Sequence, residues 1–136
     1  KNVIFDWESS LSFSGDTGPY VQYSCARINS ILRKFGAVPA ETRTFPVETD
    51  AEWLLITKLA SFPDTVAAAA AQRNCAPIAQ FALETARTFT SFYHECPVLA
   101  ADTQAQRTAR AQLCAATRTT LANALALLGI DAVERM

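Results

Sequence analysis

The sequence is short of charge, short of glycine and almost without histidine. Of its 136 residues 18% are charged, four are glycine and one is histidine. A formal net charge of −1 gives no overall field to draw a polyanion, so contact with nucleic acid has to rest on a local patch or on stacking. The four cysteines, Cys25, Cys75, Cys96 and Cys114, are too widely spread for a C-x-x-C pair, and with one histidine they form no metal-spaced cluster. A chain with a good apolar core needs no disulfide, so they read as reduced, buried small hydrophobes in a cytosolic protein. The longest greasy tract, TVAAAAA, falls short of the roughly 18 apolar residues a membrane span requires, which predicts a soluble chain. The first residue is Lys1, and no charged, apolar and small-residue succession of a signal peptide follows it. The chain therefore reads as a fragment of something longer.

Half of the residues are apolar, enough for a single domain that buries about two-thirds of the surface its unfolded chain exposes. Nowhere does a two-residue alternation last long enough for a half-buried strand, so helices are expected almost throughout. Asp6 is placed to cap a short helix in DWESSLSF before SGDTG turns the chain. A long helix should start near Thr17, with Pro19 in its first turn where a missing N–H does no harm, and end at Phe35 with Gly36 behind it. Two prolines mark a loop from Ala37 to Val47. Thr49 with Glu52 forms a capping box for the helix of Trp53, Leu54, Leu55 and Leu59, which should stop near Ser61. A helix over the alanine run, from about Pro63 to Arg73, precedes one from near Pro77 to Tyr93; the last should run from about Thr103 to Leu128, closed by Gly129. The economical architecture is an all-α helix bundle.

The stretch GDTGPYVQYSCARI, Gly15 to Ile28, stands out. At about 100° per residue, Val21, Ser24, Ile28, Ile31, Leu32 and Phe35 share one face as a core stripe. Tyr20, Tyr23 and Arg27 form a second stripe about a quarter-turn away. Two readings of it stay open. Rings beside a guanidinium can stack unpaired bases and contact the phosphates between them; equally, both tyrosines can sit half-buried with their hydroxyls bonded to a neighbour while Arg27 pairs with a carboxylate.

Catalytic readings are weaker. His94 and Cys96 have the residue types of a base and a thiolate, but no third group is placed to orient them. Asp64, Glu84, Glu95 and Asp102 are spread over different elements and read as caps or solvated charges. Gly15 and Gly18 lack the length, the lysine and the preceding strand of a phosphate loop and instead allow a sharp turn.

GDTGPYVQYSCARI, preceded by FDWESSLSF, resembles the segment by which the catalytic core of arginyl-tRNA synthetases passes into their C-terminal, DALR-type anticodon-binding domain. LLITKLASFPDTVAAAA, FTSFYHECPVL and the closing LLGIDAVERM agree with that family in order and spacing, so the likeness covers nearly the whole chain. The sequence departs from it at Val133, where proline is common, at His94, where asparagine is frequent, and at Cys25, often histidine or alanine. The resemblance implies an all-α bundle of the class Ia aminoacyl-tRNA synthetase anticodon-binding type over residues 1–136, with 1–16 the connection from the catalytic core. It implies that the partners are the anticodon stem-loop of arginine tRNA and the enzyme's own catalytic core, in the cytoplasm, with neither membrane nor DNA involved. The contact residues it implies are Tyr20, Gln22, Tyr23, Arg27, Tyr93 and Met136. No metal, cofactor or catalytic residue is expected in this chain; ATP and arginine would be bound by the core of the parent arginine-tRNA ligase. The HIGH and KMSKS motifs that handle ATP in class I synthetases do not occur here, so the chain by itself should activate no amino acid. The alternative from another class is a helical protein-interaction module that docks a partner on the Tyr/Arg stripe, since both residue types are favoured at protein interfaces.

Overall fold

In a computed structural model, residues 6–7, 17–40 and 45–136 are described. Most of the short helix expected in DWESSLSF, the turn before Thr17 and the connection assigned to residues 1–16 lie outside the described residues. Among those described there are five helices and no strand: α1 Gly18–Phe35, α2 Asp50–Ala60, α3 Phe62–Gln72, α4 Ala76–Glu95 and α5 Gln104–Leu127.

The helix boundaries follow from local chemistry. Thr17 Oγ1 accepts the Tyr20 N–H at 3.2 Å to open α1. Gly36 closes it with φ 90°, a conformation that costs glycine little, while its N–H returns to the Leu32 carbonyl at 3.0 Å. At α2, Thr49 Oγ1 accepts from the Glu52 N–H at 3.2 Å and the Glu52 carboxylate accepts from the Thr49 N–H at 3.0 Å. This is the capping box read from the sequence. Pro63 forbids α2 from running on, because its ring removes a ladder hydrogen bond and clashes with the preceding turn. The chain therefore breaks at Ser61 and restarts as α3. α3 ends at Arg73 in the left-handed region, φ 51°. A second capping box, Thr103 with Gln106, opens α5. Gly129, φ 73°, closes it; its N–H bonds to the Ala126 carbonyl at 3.0 Å and that of Ile130 to Leu125 at 2.9 Å.

The bundle is organised round α4, which packs against each of the other four helices. Its apolar residues Ile78, Phe81, Ala82, Ala86, Phe89 and Phe92 are buried at helical spacing, and they meet Val21, Ile28 and Ile31 of α1, Leu55 of α2 and Leu113, Leu121 and Leu125 of α5 in one core. Of the predicted core stripe of α1, Val21, Ser24, Ile28 and Ile31 are buried, and Leu32 and Phe35 pack partly buried against the same core. On α2 only Leu55 of the large apolar residues is buried, while Trp53 and Leu54 face outward.

Two expectations need correction. Cys25, Cys96 and Cys114 are buried, but Cys75 is exposed: it sits in the turn between α3 and α4, at the N-cap of α4, where the chain has left the core. Within Asp50–Gln72 an 18-residue window has a mean hydropathy of 1.2, so by length and composition alone the stretch could cross a membrane. The sequence reading missed this because the greasy residues are spread over two helices and no single run is long. In the fold those helices are α2 and α3, broken at Ser61 and carrying the buried Glu52.

A buried polar network joins α2, α5 and the segment after α4. Glu52 Oε1 accepts from Arg110 Nε at 2.7 Å. The other carboxylate oxygen accepts the N–H groups of Glu48, 2.7 Å, and Thr49, 3.0 Å. Arg110 Nη1 donates to the Pro97 carbonyl at 3.1 Å. Gln106 donates to the Glu48 carboxylate. Burial pushes the Glu52 carboxyl up, but the Glu48 N–H, Arg110 and the Thr49 N–H together outweigh it and hold it below its ordinary value.

Candidate nucleic-acid interface

Tyr23 and Arg27, one helical turn apart on α1, face the end of α4. Arg27 Nη2 donates to the Tyr23 hydroxyl at 3.2 Å, and the guanidinium carbon lies 4.8 Å from the Tyr23 ring centroid. The same guanidinium is 5.5 Å from the centroid of Tyr93, seventy residues away from Tyr23 in sequence. A cation held against two π faces keeps its plane fixed, and each such contact is worth about 0.5–1 kcal/mol at an exposed site. Tyr23 and Tyr93 are 39% and 38% exposed, so each ring keeps an open surface. Tyr93 is anchored from behind by the fully buried Phe89, stacked at 6.3 Å, and meets His94 edge-on at 5.9 Å. Beside the cluster runs a groove of about 370 Å³, bounded by Arg27, Lys34, Tyr93, His94, Pro97 and Leu99. Two cations, two aromatic rings and an apolar wall suit a flat, partly charged ligand.

The other expected contact residues have different places. Tyr20 is half-buried against α4, its hydroxyl 3.2 Å from Thr90 Oγ1. For this tyrosine the packing reading holds. Gln22 lies round the helix and donates from Nε2 to the Asp131 carbonyl at 3.1 Å. It is the first of a seam, Gln22, Ala26, Asn29 and Arg33, spaced 4, 3 and 4 residues apart on one side of α1. Along this seam the C-terminal segment is held. Asn29 Nδ2 reaches the carbonyls of Val133, 3.4 Å, and Glu134, 3.5 Å, and Arg33 Nη1 reaches Glu134 at 3.5 Å. Met136, at the end of that segment, is 58% exposed. The structure thus gathers Tyr23, Arg27 and Tyr93 into one cluster, with Tyr20 packed beside it and with Gln22 and the segment carrying Met136 on another flank of α1.

Sequence reasoning left out Lys34 as a groove residue and Asn29 and Arg33 as anchors of the C-terminal segment. The 4-3-4 spacing of the seam was the available signal. His94 and Cys96 do not form a pair. Cys96 is fully buried with Sγ 3.2 Å from Thr49 Oγ1, and burial pushes its thiol up, away from a reactive thiolate. Glu84 is engaged by Lys58 and by Gln80, the latter at 2.7 Å, and the Lys58 contact holds its carboxyl below the ordinary value. Among the described residues no three His, Cys, Asp or Glu side chains gather as metal ligands would.

Residues 21–136 match the DALR anticodon binding domain family. The whole chain aligns at 45% identity with an arginine–tRNA ligase of Chloroflexus aggregans and at 39% with one of Clostridium botulinum, spanning 24% of the length of each. Among solved structures, Thermus thermophilus arginyl-tRNA synthetase superposes with a TM-score of 0.83 at 39% identity, over 93% of this chain and 22% of that one. The chain thus spans about a quarter of the length of the relatives it matches. With residues 21–136 matched and a helical bundle of the same shape, the chain belongs to the DALR anticodon binding domain family.

Proposed function

We propose that this domain serves an arginine–tRNA ligase by holding the anticodon stem-loop of arginine tRNA, so that the acceptor end reaches a catalytic core elsewhere in the parent enzyme. The observation that carries the proposal is the Tyr23–Arg27–Tyr93 cluster: two half-open rings, seventy residues apart in sequence, share one guanidinium, 4.8 and 5.5 Å from their centroids. Splayed bases of a single-stranded loop stack on such rings, and the Arg27 guanidinium and Lys34 ammonium beside the groove meet the intervening phosphates. Met136 adds a polarizable thioether, and Tyr20 supports the cluster from its packed position. The mode of binding suits a chain with a net charge of −1, because the attraction is local. ATP and arginine belong to the core of the parent enzyme, and the cytoplasm, where tRNA is charged, is its compartment.

The test is competition and salt. Binding of a hairpin carrying an arginine anticodon, followed by fluorescence anisotropy, should be competed by the same hairpin and much less by one with an unrelated loop, and should weaken as salt rises. A shallow slope is expected, corresponding to a few phosphate contacts. Binding of an unrelated protein partner in place of RNA, with no hairpin affinity, would return the surface to the protein-docking alternative.

A further inference from the structure

The C-terminal segment is attached to the bundle through its own main chain. After Gly129 turns the chain, residues 131–134 run along α1 in the same direction as the helix: Gln22 meets Asp131, Asn29 meets Val133 and Glu134, and Arg33 meets Glu134. Each of these contacts is a side-chain N–H of α1 donating to a main-chain carbonyl of the segment. Holding the strap by its carbonyls leaves the side chains of Asp131, Glu134 and, beyond them, Met136 exposed for contact with something else. Ala26, buried within the seam, is small enough for the strap to approach closely. Ile130 and Ala132 secure its start by packing against the core.

One residue in the seam is itself held. Asn29 Oδ1 accepts from Arg118 Nε of α5 at 2.6 Å, the shortest of these contacts. An amide with its oxygen fixed on a guanidinium has its NH2 group turned the opposite way, and here that direction is toward the carbonyls of Val133 and Glu134. The strap lies about a third of a turn round α1 from the Tyr23–Arg27 stripe, at 100° per residue, and runs toward the end of α1 that carries Lys34 of the groove.

We infer that Arg118 and Asn29 form a latch that positions the C-terminal strap, and through it Met136, beside the RNA surface. Neither residue touches RNA in this account; both are positioning residues. The role of Met136 rests on the proposed function, whereas the latch itself stands on the strap geometry alone.

Asn29→Asp is the discriminating variant. A carboxylate still accepts from Arg118, but it has no N–H to donate and sets a negative oxygen against the strap's carbonyls. Arg118→Ala, which frees the amide to turn, is the second variant. Two readouts on the 136-residue chain separate the latch from the RNA reading. Amide order parameters of residues 131–134 should be near the rigid value of about 0.85 in the parent chain and fall below about 0.6 in both variants, with those of α4 unchanged. Affinity for the arginine anticodon hairpin should fall in Asn29→Asp to that of a chain lacking Met136, and combining the two changes should cost no more than either alone. Order parameters that stay high in both variants, or that drop equally throughout the bundle, overturn the latch. A loosened strap with unchanged hairpin affinity, in a background where deleting Met136 weakens binding, overturns its coupling to RNA. If deleting Met136 has no effect, the RNA role of that residue fails and the order parameters alone decide the latch.

Discussion

Arg110 and Glu52, 58 residues apart, form an ion pair 2.7 Å long with side chains only 8% and 3% exposed. Arg110 also holds the Pro97 carbonyl, so the pair fixes one wall of the groove beside Tyr93 as well as the start of α2. Removing one member leaves the other charge buried without its partner. Arg110→Ala should therefore destabilise the domain by about 3–5 kcal/mol in urea unfolding. A loss under 1 kcal/mol would mean that water reaches the site.

Glu52 of this pair and Glu84, held by Lys58, set an acid response. The folded-state Glu52 and Glu84 carboxyls lie below their ordinary value of 4.5. A carboxyl lowered by folding contributes stability that is complete above its unfolded value and is lost as pH falls through the folded one. The melting temperature should thus hold from neutral pH to about 5 and decline below about 4.5. In Arg110→Ala that decline should be shallower, because part of what depresses Glu52 is gone. A steeper decline in the variant would contradict the assignment.

Thr85 is fully buried in the middle of α4, and its hydroxyl has no hydrogen-bond partner among the described residues. A buried hydroxyl without a partner carries a desolvation cost that an apolar group of the same shape avoids. Thr85→Val should leave stability unchanged or raise it by about 1 kcal/mol. By contrast, Phe89→Ala, which empties the centre of the same helix, should cost about 3–5 kcal/mol. A Thr85→Val chain destabilised by more than 1 kcal/mol would reveal a partner for the hydroxyl.

The cysteines should differ sharply toward a thiol reagent. Burial pushes the Cys25 thiol up to about 11 and Cys114 to about 12, and burial raises Cys96 as well. Cys75 is exposed. One thiol per native chain should react quickly, Cys75→Ser should abolish that phase, and all four should react in denaturant. Reductant should leave the melting temperature unchanged. Rapid reaction of two or more thiols in the native Cys75→Ser chain would contradict the burial.

Much of this molecule was legible in the sequence because its signals are local. Thr17, the Thr49–Glu52 box, Gly36 and Gly129 mark helix ends through contacts within a few residues, and the structure has the ends where those residues put them. Helical periodicity also separated the Tyr23–Arg27 stripe from the core stripe. It could not say what stands opposite each face. Tyr20 and Tyr23 share a stripe in the sequence, yet α4 presents Thr90 to one hydroxyl and leaves the other ring half-open beside Tyr93. Glu52 was recognised as a cap, but its ion pair with Arg110 joins two helices whose mutual position no local pattern encodes. Cys75 escaped for the converse reason, since a cysteine gives no sign of whether it lies on a helix or in the turn before one. The family resemblance supplied Tyr93 as a companion to Tyr23 and Arg27; spacing alone does not connect residues so far apart.

The central claim is that bases stack on the Tyr23–Arg27–Tyr93 cluster, and the most direct measurement is the affinity of an arginine anticodon hairpin for Tyr93→Ala. The ring is 38% exposed and lies against Phe89 at the end of α4, so its removal should leave the helical circular dichroism intact. Tyr93→Ala should weaken binding by about 1–3 kcal/mol. Tyr23→Ala should behave alike, and Arg27→Ala should both weaken binding and reduce its salt slope by about one unit. A Tyr93→Ala chain that is folded and binds the hairpin as tightly as its parent would contradict the claim.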